Sequence, residues 1–261
     1  MCLILIACQV HPQYPLVVAA NRDEYFARPS LPAGFWPDAP QLLAGRDLSA
    51  GGTWLGINRN GRFAALTNIR EPDVAEPQGV ISRGHLVSEF LTAEQSAVSY
   101  LRHLRPERYN GFNLICGHVS RLYYASNRNG PPQPLGAGIH GVSNALLNTP
   151  WPKLEGGRRA LQQSLTQNDT LSPDQLLPIL NHRQRPSDHQ LPATGVSLEL
   201  ERILSSRFIE GQAMGYGTRA STVLLVSKDG EVQFTEWSWD SNGNPSGRED
   251  VQLTLDPWEP Y

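Results

Sequence analysis

Apolar residues crowd the beginning of the chain. Leu3 to Gln9 and Leu16 to Asn21 are short aliphatic, β-rich runs, split by His11-Pro12-Gln13-Tyr14-Pro15. That pattern predicts two strands joined as a hairpin. Thr53 to Asn58 and Arg62 to Asn68 flank Arg59-Asn60-Gly61, and Asn-Gly between apolar runs signals a tight hairpin turn. Phe112 to His118 with Leu122 to Ser126 predict another pair. Thr222 to Ser227 and Val232 to Trp237, around Lys228-Asp229-Gly230, predict one more. Helical spacing covers Ser82 to Leu104, with a break near Thr92, where Thr92-Ala93-Glu94-Gln95 has capping-box spacing. It also covers Leu154 to Leu165 and Pro173 to Asn181, the latter with Ser172 as N-cap and Pro173 at the first position. Residues 28–52 carry Pro29, Pro32, Pro37, Pro40 and several glycines and read as a long surface loop, as do residues 183–197. A loop as long as the first is often functional.

Strands therefore come as antiparallel pairs, with helices grouped between the pairs. A parallel βαβ series would alternate strictly. The expectation is an α+β fold with mostly antiparallel sheets, in one domain.

Composition narrows the function classes. The 261 residues are 39% apolar and 18% charged, enough for a full core. The formal net charge of -3 offers no basic excess for a polyanion, so nucleic acid is not an expected partner. No run reaches the about 20 apolar residues of a spanning helix. The apolar start has no Lys or Arg before it and stops at Gln9, so no secretory signal is expected. Cys2, Cys8 and Cys116 form neither a disulfide framework nor a zinc set. A reducing, cytoplasmic location follows as the expectation. The histidines are scattered, and no metal site is expected. Gly215-Tyr216-Gly217-Thr218-Arg219-Ala220 fits G-x-G-x-x-A, but strand-like Ser221 to Val226 follows. A dinucleotide turn needs a helix there.

Candidate chemistry centres on Cys2. Removal of Met1 would leave a thiol and a free α-amine on one residue. An unperturbed α-amine titrates at about 7.7–8.0 and a thiol at about 8.5, so the amine can serve as general base to the thiol beside it. Asn21-Arg22-Asp23-Glu24 follows the second apolar run. If the first two strands pair, Arg22 and Asp23 lie near Cys2. The guanidinium would favour thiolate, and the carboxylate would orient the amine. Asn68 and Asn144 are candidate oxyanion donors, and Arg219 is a candidate further cation. Asn21, Glu24, Trp54 and Trp36 are candidate ligand-binding residues, with Phe35 and Trp151 as possible further pocket aromatics.

Seven segments occur in a fixed order: Met1-Cys2, Ala19-Ala20-Asn21-Arg22-Asp23-Glu24, Gly51-Gly52-Thr53-Trp54-Leu55-Gly56, Ala64-Ala65-Leu66-Thr67-Asn68, Tyr109-Asn110-Gly111-Phe112-Asn113-Leu114, Gly141-Val142-Ser143-Asn144-Ala145-Leu146-Leu147 and Gly215-Tyr216-Gly217-Thr218-Arg219. Together they resemble the NRDE family, also called the transport and Golgi organisation protein 2 family, from residue 1 to about residue 240. The resemblance implies a four-layer αββα sandwich of the N-terminal-nucleophile hydrolase type, distantly similar to choloylglycine hydrolases and penicillin V acylases. Those enzymes cut linear amides with an N-terminal cysteine helped by an arginine, an aspartate, two asparagines and a later arginine. Cys2, Arg22, Asp23, Asn68, Asn144 and Arg219 match by position, although the Arg-Asp spacing is shorter here. The resemblance also implies a second possibility, a non-catalytic carrier of haem or of an acyl lipid or acyl-coenzyme A. No resident cofactor is expected in either case; haem would be cargo.

Overall fold

The protein, represented by a computed structural model that describes residues 2–75 and 79–256, is built from two sheets. In chain order its strands are β1 Cys2–Cys8, β2 Leu16–Tyr25, β3 Ser30–Trp36, β4 Ala39–Asp47, β5 Leu55–Asn58, β6 Arg62–Asn68, β7 Phe112–His118, β8 Arg121–Ser126, β9 Gln133–Pro134, β10 Gly138–Val142, β11 Glu210–Gly211, β12 Tyr216–Val226, β13 Glu231–Trp239 and β14 Pro245–Thr254. Its helices are α1 Gly84–Thr92, α2 Ala97–His103, α3 Pro152–Gln167, α4 Pro173–Leu180 and α5 Leu198–Ile203. One sheet runs β10-β1-β2-β12-β13-β14, with β11 paired to β12; the other runs β3-β4-β5-β6-β7-β8-β9. The pairings are antiparallel.

Burial on both faces explains the continuous apolar runs. Ile4, Ile6, Val18 and Ala20 face the space between the sheets, with Leu43, Phe63 and Ile115 from the second sheet. Leu3, Leu5, Val17 and Ala19 face the other way, against Leu154 and Leu161 of α3 and Leu176 and Leu180 of α4. Helix α1 covers the outer side of the second sheet, and α2 lies against β7 and β8. The layers are therefore α, β, β, α, as expected for this class.

The two expected turns hold. β1 pairs with β2 in register from Cys2↔Arg22 to Cys8↔Leu16. Gly61 takes φ 72° in the Asn-Gly turn between β5 and β6, where a side chain would be strained.

Three expectations need correction. Residues 28–52 are not a loop: β3 and β4 fill most of that stretch and form the end of the second sheet. Pro32 is tolerated there because the β3–β4 ladder shifts register between Leu31 and Gly34, and a bulge on an edge strand needs no donor at that position. The second helix is capped by Ser96, whose hydroxyl accepts from the Ser99 amide at 3.2 Å. Thr92 instead ends α1, with its hydroxyl donating back to the Ser88 carbonyl at 2.9 Å. Finally, β10 and β14 arise where no strand was expected.

Candidate active site

The ladder between β1 and β2 places Cys2 directly across from Arg22, both on the face that looks between the sheets. A cavity of about 490 Å³ opens at this end of β1 and β2. Its lining includes Cys2, Arg22, Asp23, Glu24, Trp54, Asn68 and Arg219. Cys2 is as buried as Cys8, each 8% exposed, and belongs to the apolar cluster between the sheets; what sets it apart is that it also lines the cavity.

Electrostatics at the sulfur are mixed. Burial pushes the Cys2 thiol up, and the neighbouring Asp23 carboxylate adds to that, while Arg22 and the backbone N–H of Asp23 oppose it. Arg22 acts in the expected direction, but desolvation outweighs it. Low dielectric penalises the thiolate more than one guanidinium compensates. Asp23 is also raised by burial, to about 6, although Lys153, Thr218 and Arg22 pull its carboxyl down. The Thr218 hydroxyl donates to Asp23 Oδ1 at 2.7 Å, and the Tyr216 hydroxyl donates to the Asp23 carbonyl at 2.9 Å.

Arg22, Glu24, Arg28 and Asp47 form a chain of charges along one wall, with separations of 3.8 Å, 4.0 Å and 2.6 Å. Arg219 joins it from an irregularity. The β2–β12 ladder pairs Thr218 with Asp23 and Ala220 with Arg22, so Arg219 is the extra residue of a bulge. Bulges re-aim side chains. Here the bulge delivers the guanidinium to the cavity, where it donates to the carbonyls of Tyr25 and Arg28.

Strand alternation corrects two ligand-binding expectations. Asn21 is one residue out of phase with Arg22 and faces the helices. Its amide donates to the carbonyls of Leu180 at 2.9 Å and Arg207 at 2.7 Å, and its oxygen accepts from Ser221 at 2.6 Å. It ties the helical layer to the sheet and is absent from the cavity lining. Trp36 packs into the core, with its indole N–H donating to the Ala44 carbonyl at 3.1 Å and Arg46 stacked on its ring; it too is absent from the lining. Phe35 packs against the core under the Arg59 guanidinium, and Trp151 begins α3 beside Arg70.

The two asparagines play different parts. Asn68, at the end of β6, lines the cavity. Asn144 is not part of the lining, and its amide donates to the Asn68 carbonyl at 2.9 Å. The Ser143 hydroxyl donates to the Cys2 carbonyl at 2.9 Å and lies 3.2 Å from Asn144 Oδ1. Asn144 and Ser143 thus tie the ends of β1 and β6 together, and Asn144 in this arrangement supports Asn68 rather than facing a reacting carbonyl.

Two buried charges escaped the sequence reading. Glu236 lines the cavity and accepts from the Ala33 amide at 2.8 Å and from Thr222 at 3.2 Å, which joins the two sheets across the gap. The alternation of Val232, Phe234 and Glu236 puts all three on one buried strand face, so this position was legible as a polar intruder. Lys153 is buried in the first turn of α3. A cation at a helix N-terminus opposes the helix dipole, and that misfit was the available signal. Among the described residues no cluster of His, Cys, Asp and Glu is arranged to hold a metal ion, and no helix is long and apolar enough to cross a membrane.

Residues 1–241 match the family described as Transport and Golgi organisation 2. The chain belongs to this family. Its Transport and Golgi organisation 2 relatives include the mouse homologue, 38% identical with 91% of this chain and 93% of the mouse protein covered. The human homologue is 38% identical over the same shares. The Drosophila melanogaster Transport and Golgi organization protein 2 is 29% identical, covering 90% of this chain and 91% of the fly protein. Among solved structures, the C2A mutant of conjugated bile acid hydrolase from Clostridium perfringens aligns with TM-score 0.55 at 9% identity, over 99% of this chain and 94% of that one. Penicillin V acylase from Agrobacterium tumefaciens aligns with TM-score 0.51 at 11% identity, over 98% of this chain and 87% of that one. At such identities the likeness establishes a shared N-terminal-nucleophile hydrolase fold.

Proposed function

We propose that this Transport and Golgi organisation 2 family member is an amidohydrolase that cleaves a linear amide through Cys2. The observation that carries the reading is the position of Cys2: first residue of the first strand, on a cavity floor, opposite Arg22. The mechanism requires loss of Met1, which lies outside the described residues. The freed α-amine takes the thiol proton, and the sulfur attacks the carbonyl carbon. Asn68 stabilises the oxyanion. Collapse breaks the C–N bond, and the α-ammonium returns its proton to the departing nitrogen. Water then attacks the thioester with the amine again as base, releasing the acid and restoring the thiol. Asp23 holds the amine, and Arg22 and Arg219 supply positive charge along the wall.

The expected result is an acyl adduct on Cys2 in intact-mass spectra after incubation with a panel of acyl amides, absent in Cys2→Ala. Complete retention of Met1 in protein from its native cell would sink the mechanism.

A second reading is supported by the closed hydrogen bond of Asn144 and by the upward push on the Cys2 thiol, both of which work against turnover. In that reading the cavity carries haem, an acyl lipid or acyl-coenzyme A without chemistry. No histidine lines the cavity among the described residues, so Cys2 would be the one sulfur ligand it offers to haem. Tight binding of haem or acyl-coenzyme A that survives Cys2→Ala, with no adduct in wild type, would favour the carrier.

A further inference from the structure

The cavity is longer than the chemistry at Cys2 requires. Its floor is one row of side chains running across the first sheet. Cys2 on β1 lies opposite Arg22 on β2, Arg22 opposite Ala220 on β12, and Ala220 opposite Ser238 on β13. Residues opposed in register point to the same face of a sheet, and all four line the cavity. Three steps between strands, each about 4.8 Å, separate Cys2 from Ser238 by roughly 14 Å. The cavity is thus a trough, with Cys2 and Asn68 at one end. Leu31, Pro32, Trp54 and Ile81 supply apolar wall.

The far end is acidic. Glu236 stands two residues from Ser238 on β13, so it shares the face of Ser238, and it lines the trough. It is 4% exposed. Its hydrogen bonds come from neutral donors, the Ala33 amide and the Thr222 hydroxyl. Among the described residues it forms no ion pair. Arginines of the lining differ: Arg28 and Arg46 are each held by an aspartate at 2.6 Å, and Arg22 stands 3.8 Å from Glu24. A carboxylate kept out of water is costly unless a cation meets it, and each of its oxygens can accept a further hydrogen bond. In the opposite wall, a Cβ on Gly45 would lie 3.9 Å from Glu236 Oε1, so the absence of a side chain there leaves space beside that oxygen. Joining β3 to the first sheet does not call for a charge, since a glutamine oxygen would accept from the Ala33 amide as well.

We infer that the substrate is a linear amide with one extended arm ending in an ammonium group, and that Glu236 binds this ammonium while the amide lies at Cys2. The place of the amide rests on the amidohydrolase reading; the binding of an ammonium-ended arm in the trough does not.

Calorimetric titration of the full chain carrying Cys2→Ala, which cannot be acylated there, reads binding alone. One pair of probes is ω-aminododecanamide and its methyl-ended counterpart tridecanamide. The reversed pair, N-(ω-aminodecyl)acetamide and N-undecylacetamide, puts the arm on the nitrogen side. In at least one pair the ammonium-ended member should bind about tenfold more tightly or better, the worth of a hydrogen bond to a charged group. Adding Glu236→Gln, which keeps an acceptor for the Ala33 amide, should erase that preference. Adding Ser238→Leu instead, which fills the floor short of Glu236, should erase it too. The short ω-aminohexanamide should bind equally with and without Glu236→Gln. Cys8 and Cys116, both buried, report on the fold by staying unalkylated. The proposal is overturned if nothing binds, if neither pair shows the preference, or if the preference survives Glu236→Gln. Should Glu236→Gln expose both cysteines, Ser238→Leu decides, and a preference that survives it overturns the proposal. Failure of these amides to acylate Cys2 in wild type would instead strike the amidohydrolase reading and leave the binding preference where it is.

Discussion

Cys2, Cys8 and Cys116 share a chemistry and differ in surroundings. Burial pushes the thiols of Cys8 and Cys116 up to about 12, and neither lines the cavity, whereas Cys2 does. Site-resolved mass spectrometry after iodoacetamide at pH 8 should therefore find Cys2 modified well before the other two. Equal rates would mean that the cavity is closed to small reagents. Glu236 gives a pH prediction. Burial raises its carboxyl above the usual value despite the Ala33 amide and Thr222. The folded state then binds a proton more tightly than the unfolded chain, and stability falls as pH rises from the unfolded value through the folded one. Glu236→Gln removes that loss. Its urea midpoint relative to wild type should climb between pH 4 and pH 7, and a flat difference would show that the carboxylate is fully compensated. Arg22 and Asp23 were legible as candidates because ionisable residues follow directly on the apolar run Leu16 to Ala20, Cys2 because of its position after Met1, and Arg219 because it follows a glycine-rich turn. Asn21 and Trp36 were misplaced because nearness in sequence says nothing about phase. A strand sends neighbours to opposite faces, and only the Cys2↔Arg22 register decides which face is the cavity.

At the level of elements, the cavity wall depends on one close approach. A Cβ on Gly52 would lie 2.5 Å from the Gly84 carbonyl carbon at the start of α1. Backbone cannot yield as a side-chain tip does, so Gly52→Ala must push α1 outward, and with it Arg83 and Gly84 of the lining. Overpacking of this kind costs about 1–3 kcal/mol. A lowered denaturant midpoint should accompany weakened Cys2 acylation. Retained stability would show that α1 moves freely. Elements with strong local signals were readable: the β1–β2 hairpin from its two apolar runs, and α4 from Ser172 and Pro173, whose capping box is present. The β3–β4 pair was not, because Pro29, Pro32 and Pro40 argue against a ladder unless its bulges are known. β14 was hidden because most of its residues are exposed. No hydrophobic period marks such a strand, and its place is set by pairing with β13.

On the scale of the whole molecule, the sandwich leaves β14 as one end of the first sheet. An unpaired edge invites pairing with another chain, and charge on the edge prevents it. Here Arg248, Glu249 and Asp250 stand exposed in mid-strand, with Arg248 bridging Asp174 at 2.8 Å and Asp250 at 2.7 Å. Replacing the three by Val should produce concentration-dependent association in light scattering, with little change in the cavity chemistry. A variant that scatters like wild type at all concentrations would show that this edge needs no such guard.

The bulge on β12 has a separate consequence. Thr218 already pairs with Asp23 and Ala220 with Arg22, so excising Arg219 would leave an unbroken ladder on either side. A single lost codon could thus strip the cavity of one cation while the scaffold stayed intact, and a lineage that gave up chemistry for transport would have a short road to take.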